Sequence, residues 1–403
     1  MQNRNISLLL DRLALSRKKM VFLSGPRQAG KTTLAKEFLK NKKFYFNWDD
    51  IRFRKEWTRS PSQFAEFLLN ERDPLIVLDE IHKHPKWKNQ IKGMYDIYGD
   101  KIKIIVTGSA LLNTFRKGSD SLLGRFVHFH LHPFSLGELH RESPLTFSEF
   151  SQSLSDFHFP ATGGNVNTIQ KDMFRWGGFP EPFLAKSEDI HQIWSKNRLE
   201  LLIRQDLRDL SQFLNHNQIE ILASVLPEKV GSLLSITSLK EDLDVAHTTI
   251  TRWMNALSSI YYHFSVQPYS HKIIRSLKKE GKIYLYDWSS VEEVGPRFEN
   301  MVASHLLKLV HFYNDTGQAS LSLSYLRNKE KQEVDFILLH KKKPLVTIEV
   351  KLSDLNLDKT FLKFQKSLHV PHFQIIQPEG IFRTFPEYNA CVISFDRFFY
   401  QLP

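Results

Sequence analysis

Between residues 20 and 39 an apolar strand, a glycine-rich turn and a helix follow one another without a spare residue. Met20-Val21-Phe22-Leu23-Ser24 reads as a buried strand. Gly25-Pro26-Arg27-Gln28-Ala29-Gly30-Lys31-Thr32 fits G-x-x-x-x-G-K-[ST], and Thr32–Leu39 has helical character. A loop clamped between a strand end and a helix start turns its backbone N–H groups inward, where they and the helix N-terminus cradle a polyphosphate. Lys31 would reach the β- and γ-phosphates and the Thr32 hydroxyl would ligate Mg²⁺. Residues 25–32 and Thr33 therefore form the expected binding loop for a nucleoside triphosphate.

Such a site needs a second strand. Leu75-Ile76-Val77-Leu78 runs into Asp79-Glu80, two carboxylates at a strand's C-terminal end. Asp79 is the expected Mg²⁺ partner, and Glu80 the group that polarises an attacking water. A small-molecule kinase has no use for that Glu; a hydrolase does. A third strand, Ile102–Thr107, ends in Gly108-Ser109-Ala110. A polar residue there would sit between the other two strands, with Ser109 the first candidate and Thr107 the second. Parallel sheets gather ligand groups at the carboxyl ends of their strands, so the expected class is α/β with a parallel phosphate-loop sheet.

At 403 residues the chain has room for two or three domains. With 41% hydrophobic and 25% charged residues it reads as globular. No run approaches eighteen apolar residues, so no membrane partner is expected. The stretch Ser7–Leu13 suits an amphipathic helix better than a signal peptide. The single cysteine, Cys391, excludes an intrachain disulfide and suits a reducing cytoplasm. A net charge of +11 points to an anionic partner, DNA or ATP itself. Segment 141–172, rich in Ser, Thr, Asn and Gly, reads as loop and lid material.

Beyond the loop come Asp79-Glu80-Ile81-His82, Thr107-Gly108-Ser109-Ala110, Ser121-Leu122-Leu123-Gly124-Arg125, Pro133–Leu139 and Gly177-Gly178-Phe179-Pro180-Glu181. In that order they resemble a family of prokaryotic AAA-type ATPases with a C-terminal domain of unknown function. The resemblance implies an ATPase core over 1–134, a helical lid over 135–212, a winged helix over 213–288 and a restriction-endonuclease-like domain over 289–403. It also implies that Arg125 acts as an arginine finger across a homo-oligomer interface, against the alternative of pairing with a carboxylate of its own chain. His82 stands where the family more often has Gln and receives no role. The Gly177–Glu181 turn is expected to pack the lid on the core. His128, His130 and His132 share one strand face, but with no fourth ligand evident they are not read as a zinc site.

From about residue 215 the pattern changes. Ser238–Leu243 reads as a short helix with a Ser cap, Asp244–Ala246 as a turn and His247–Leu257 as a second helix. Ile250, Trp253, Met254 and Leu257 form its core stripe, leaving Thr248, Thr251, Arg252 and Asn255 outward. Two strand-like runs, 260–266 and 282–286, flank a basic segment with His271, Lys272, Arg275, Lys278 and Lys279. A winged helix that meets DNA phosphates is the expectation.

Glu333–Leu339 and Leu345–Lys351 read as a hairpin around residues 340–344. Facing Leu339 with Leu345 sets Asp335 opposite Glu349 and Glu333 opposite Lys351, all on one face. This resembles the Asp…Glu-x-Lys core of restriction-endonuclease folds, with Glu299 as an extra acid and Val334 where Pro is usual. The resemblance implies a nuclease site of Glu299, Asp335, Glu349 and Lys351 holding a second Mg²⁺ or Mn²⁺. The leading expectation is a Mg²⁺-dependent ATPase that engages DNA. The rival is a slow ATP-dependent switch whose C-terminal half binds a protein.

Overall fold

The computed structural model of the chain describes residues 4–69, 71–108, 122–140, 143–207, 215–270 and 280–403. β1 (Met20–Ser24), β2 (Tyr45–Asn47), β3 (Leu75–Asp79), β4 (Lys103–Thr107) and β5 (Phe126–His130) form one sheet in the order β2-β3-β4-β1-β5. Every pairing in it is parallel. Alternation divides its side chains between two cores. Val21, Leu23, Val77, Ile105 and Phe129 enter one, while Phe22, Ile76, Leu78, Ile104 and Val106 enter the other. A sheet covered on both faces needs apolar residues at nearly every strand position, which is why these strands read as continuous runs. β4 lies between β1 and β3, as expected, and brings Thr107 between the phosphate loop and Asp79. The short edge strand β2 was not legible in the sequence.

A second sheet holds β6 (His263–Pro268), β7 (Lys282–Leu285), β8 (Leu321–Arg327), β9 (Glu333–His340), β10 (Lys343–Lys351), β11 (His372–Ile376), β12 (Phe382–Phe385) and β13 (Ala390–Ser394). Its order is β12-β13-β11-β10-β9-β8-β6-β7. The β6–β7 pair thus continues the sheet across position 288. Helix Val294–Asp315 packs on it, burying Phe298, Met301, Val302, Leu306, Leu309 and Tyr313 at three- and four-residue spacing.

Some local expectations shift. The helix expected at Ser238 spans Ile236–Asp242, and its cap is Ser235, whose hydroxyl accepts the Ser238 N–H at 3.2 Å. The second helix, His247–Ser259, exposes Thr248, Thr251, Arg252 and Asn255 as expected. Segment 141–172 is not mainly loop: Phe147–Asp156 and Val166–Trp176 are helices. The sequence signal was there in Thr146 and Glu149, whose side chains cap each other's backbone N–H groups. The Gly177–Glu181 turn meets the core as expected, the Phe134 N–H donating to the Gly178 carbonyl at 2.7 Å; it also packs on the Trp288 segment, whose indole donates to the Met173 carbonyl at 2.8 Å. The basic segment 271–279 lies outside the described residues, and among the described residues no helix is long and apolar enough to cross a membrane.

One buried triad ties the two ends of the chain together. Glu138 accepts from Arg4 Nε at 3.2 Å and from Lys308 Nζ at 2.6 Å, with all three side chains nearly inaccessible. Burial raises the Glu138 carboxyl, but the two cations outweigh it and hold the group below its usual range. Glu138→Gln should leave Arg4 and Lys308 unbalanced and cost about 3–5 kcal/mol, read as a lowered thermal midpoint. Adding Lys308→Met to that variant should recover part of the loss.

Candidate active site

The phosphate loop needs its glycines for two different reasons. A Cβ on Gly25 would lie 2.1 Å from the Leu131 carbonyl oxygen, so β5's exit strand leaves no room for a side chain. Gly30 has open space but φ +98°, which L residues avoid. Inside the loop Lys31 is buried, its Nζ donating to the Gly25 and Pro26 carbonyls at 2.9 and 2.7 Å. Burial pulls its pKa down, and Glu80 and Asp79 pull against that. The ammonium group thus lies where the loop's backbone converges.

Asp79 is the hub. One carboxylate oxygen accepts from Thr32 Oγ1 at 2.8 Å and from the Tyr45 hydroxyl at 2.6 Å; the other accepts from Thr107 Oγ1. A hydroxyl beside a carboxylate below a lysine-filled loop is a donor set that suits a hard divalent cation with a polyphosphate. The residues fit Mg²⁺ and ATP. Thr107, the second candidate on β4, is Asp79's partner; the first, Ser109, lies outside the described residues.

Glu80 follows with φ +57°, a left-handed conformation uncommon for a non-glycine residue and often found at functional sites. Burial, with help from Asp79, pushes its carboxyl up to about 7 against Lys31 and Lys83. His82, given no role from the sequence, places Nε2 3.4 Å from Glu80 Oε2 and is kept neutral by burial, its pKa near 4.

Two further partners come from far along the chain. Arg27 donates to Asp206 Oδ1 at 2.6 Å and to Gln205 at 2.9 Å, both in the π-helical turn Leu202–Asp206 that ends the lid helix Glu188–Leu201. Short π segments recur at functional positions because they re-aim a side chain without ending the helix. Tyr261 donates to Ser24 Oγ at 3.0 Å, beside the loop, and Ser24 meets His128 at 2.7 Å. The histidine row is structural knitting: His130 bonds Asp315 at 2.8 Å and His132 bonds His311 at 2.7 Å.

Arg125 is not brought to this site. It precedes β5 at the N-terminal end of the sheet, opposite the loop, and pairs with Asp96 at 2.6 and 3.2 Å. The alternative of a carboxylate in its own chain is the one observed.

At the C-terminal hairpin the register near the acids matches expectation, with Ile348 opposite Phe336 and Thr347 opposite Ile337. Nearer the turn it does not. Pro344, not Leu345, pairs with Leu339, because Lys341 and Lys342, both at positive φ, make a two-residue turn and a bulge absorbs the difference. The carboxylates gather around a residue the sequence reading left out. Lys282 on β7 contacts Glu333 at 2.6 Å, Asp335 at 3.1 Å and Glu299 at 3.3 Å, while the Tyr284 hydroxyl donates to Glu299 at 2.6 Å. Burial opposes the Lys282 charge, but Asp335, Glu299 and Glu333 outweigh it and push its pKa up. Lys351 bonds Glu349 at 2.8 Å and Asp358 at 3.0 Å, not Glu333. Burial and Asp335 raise the Glu349 carboxyl. An internal ammonium therefore pairs with two of the expected nuclease acids, Asp335 and Glu299, while the third, Glu349, pairs with Lys351. Among the described residues no group of three or more His, Cys, Asp or Glu is arranged to hold a metal ion.

Removing this ammonium should expose the repulsion it offsets. Burial and Asp335 already raise the Glu299 carboxyl, and Lys282→Met removes the cation that opposes them, so the stability tied to Glu299 is fully present below about pH 4 and lost as pH rises. The variant's thermal midpoint should approach that of the parent at pH 5 and fall well below it at pH 8. A pH-independent difference would mean that Lys282 acts by packing alone.

Residues 17–140 match the AAA domain family, residues 168–293 a domain of unknown function (DUF8612) and residues 294–383 another (DUF4143). An uncharacterized protein of Mycobacterium tuberculosis is 26% identical over 278 residues, covering 68% of this chain and 56% of that protein's length. An uncharacterized protein of Methanocaldococcus jannaschii is 22% identical over 383 residues, covering 91% of this chain and 81% of its own. The chain thus spans little more than half the length of its mycobacterial relative. Among solved structures, the ORC1 protein of Aeropyrum pernix in complex with DNA aligns at 13% identity over 76% of this chain and 94% of its own, with a TM-score of 0.33. A STAND protein with a tetratricopeptide repeat sensor from Pyrococcus horikoshii aligns at 16% identity over 79% and 48%, with a TM-score of 0.30. The phosphate loop, the parallel sheet and the matched segments together show an AAA-type P-loop domain followed by two domains of unknown function.

Proposed function

We propose that the protein hydrolyses ATP in a Mg²⁺-dependent reaction and uses its nucleotide state to position the C-terminal half on DNA. The observation that carries the ATPase reading is Glu80, held in a left-handed turn one residue beyond Asp79 and backed by His82. That placement suits a carboxylate orienting water at the phosphate held by Lys31. Mg²⁺, bound by Thr32 and Asp79, would supply positive charge to the phosphate oxygens. Lys31→Ala should abolish tight ATP binding. Glu80→Gln should retain binding and lose at least about a hundredfold in turnover, measured as phosphate release. Normal turnover in Glu80→Gln would remove its assigned role.

The proposed arrangement is an ATPase core over 1–134, a lid over 135–212, a winged helix over 213–288 and a nuclease-like domain over 289–403. Supporting the DNA reading are the outward Thr248, Thr251, Arg252 and Asn255 and the +11 charge. A helix that presents short polar side chains and an Arg suits a DNA groove. The nuclease-like half is read as a binding module rather than a cutting one, because Lys282 neutralises the carboxylates from within. Arg252→Ala should weaken duplex binding and reduce its salt slope by up to about one. A wild-type chain that binds no duplex at low salt would shift the reading to a protein partner. Self-assembly through the ATPase core remains part of the proposal and is read by sedimentation with and without ATP.

A further inference from the structure

A cleft of about 470 Å³ opens beside the lid helix Glu188–Leu201, where Arg198, Lys196 and His191 line it together with Ser224, Tyr262 and Ser290. Arg198 is out of the ordinary among the buried cations. It is 4% exposed, and among the described residues no hydrogen bond or ion pair reaches its guanidinium, whose Nε and Nη2 are buried without an acceptor. The group lies over Phe179, 4.3 Å from the ring centre, and 5.7 Å from that of Trp194. Trp194 Nε1 is likewise buried and unpartnered.

The acids that Arg198 feels at a distance are already committed. Asp287 accepts from the Ser289 N–H and from the Ser289 and Ser290 hydroxyls; Asp206 gives Oδ1 to Arg27, and its Oδ2, buried without a partner among the described residues, forms no ion pair with Arg198. Glu188, which also lines the cleft, pairs with Arg175 at 3.3 Å. A guanidinium with two of its three nitrogens shielded from water and without an acceptor is a charge the fold leaves poorly compensated. Its planar fork matches the paired oxygens of a phosphoryl or carboxylate group. The cleft is of the size that small-molecule sites have.

We infer that this cleft binds a small oxyanion ligand, with Arg198 as its donor and Trp194, one helical turn away and beside the guanidinium, as a reporter of its occupancy. The site is separate from the phosphate loop but not isolated from it. Arg198 and Asp206 lie eight residues apart along one helix, about 12 Å of rise, and Asp206 holds the loop's Arg27. Occupancy at Arg198 can therefore bias the loop through the turns that lead from it to Asp206.

The test uses the full chain carrying Lys31→Ala, so that the phosphate loop does not contribute, with inorganic phosphate and citrate as separate probes at constant ionic strength. Either probe should raise the thermal midpoint saturably and alter the tryptophan fluorescence. Trp194→Phe should remove the fluorescence change, and Arg198→Met should remove both signals. A response to phosphate alone identifies a phosphoryl ligand, and a response to citrate alone a carboxylate. Without any probe, Arg198→Met should melt at or above its parent, since it deletes an unpaired charge while keeping an apolar stem on Phe179. Three results would overturn the inference: no saturable shift with either probe, an equal shift in Arg198→Met, or a probe-free Arg198→Met that melts well below its parent. The third would mean that the guanidinium is already satisfied within the protein.

Discussion

Leu23 of β1, Thr107 of β4 and Asp79 of β3 stand side by side in one row across the sheet, and the nucleotide site depends on that row. Because the strands are parallel, a register fixed deep in the apolar core also fixes how far each carboxyl end protrudes. Thr107 can then donate to Asp79, and Asp79 can accept from Thr32 at the start of the phosphate-loop helix. A one-residue slip would turn Thr107 to the other face and disconnect the loop from its acid. The long aliphatic runs that make the strands are thus also what aligns the chemistry.

Much of this was legible in the sequence, because the loop, Asp79 and Glu80 belong to strand ends whose apolar runs announce them locally. What the sequence concealed has a common cause. Tyr45 sits on a three-residue edge strand that carries no apolar run of its own. Asp206 reaches the loop's Arg27 across 179 positions, and only the π turn aims it there. Lys282 meets Asp335 across 53 positions, through a strand whose pairing partner could not be read from periodicity. The hairpin acids were legible as a same-face set, but not the cation that gathers them. Arg125 shows the converse: a motif position alone did not reveal that Asp96 lies within reach.

Buried lysines recur as organising charges. Lys308 holds Glu138 beneath the N-terminal segment, Lys282 gathers the hairpin acids, and Lys31 lies among its own loop's carbonyls. The first two are neutralised within the protein by carboxylates, at the desolvation cost that any buried pair carries. Among the described residues Lys31 makes no ion pair; its partners are neutral oxygens, which a phosphate can replace with gain. That difference separates a cation used for architecture from one kept for a ligand.

The loop is gripped from two directions by elements that come after the ATPase sheet. Arg27 is bonded to the end of the lid helix, and Ser24, just before the loop, to Tyr261, which follows the second helix of the helix-turn-helix pair. A polyphosphate entering the loop competes for Lys31 and Arg27, so it changes the free energy of the lid contact directly. A ligand shifts a conformational equilibrium only by its differential interaction with the two states, and here those contacts are identifiable. The same linkage runs in reverse. Any partner that moves the helix pair acts on Tyr261, through it on Ser24, and so on the backbone that must close around the phosphates. On the proposed function, nucleotide occupancy and the C-terminal half would be coupled through these two hydrogen-bonded contacts, with no long chain of intermediates.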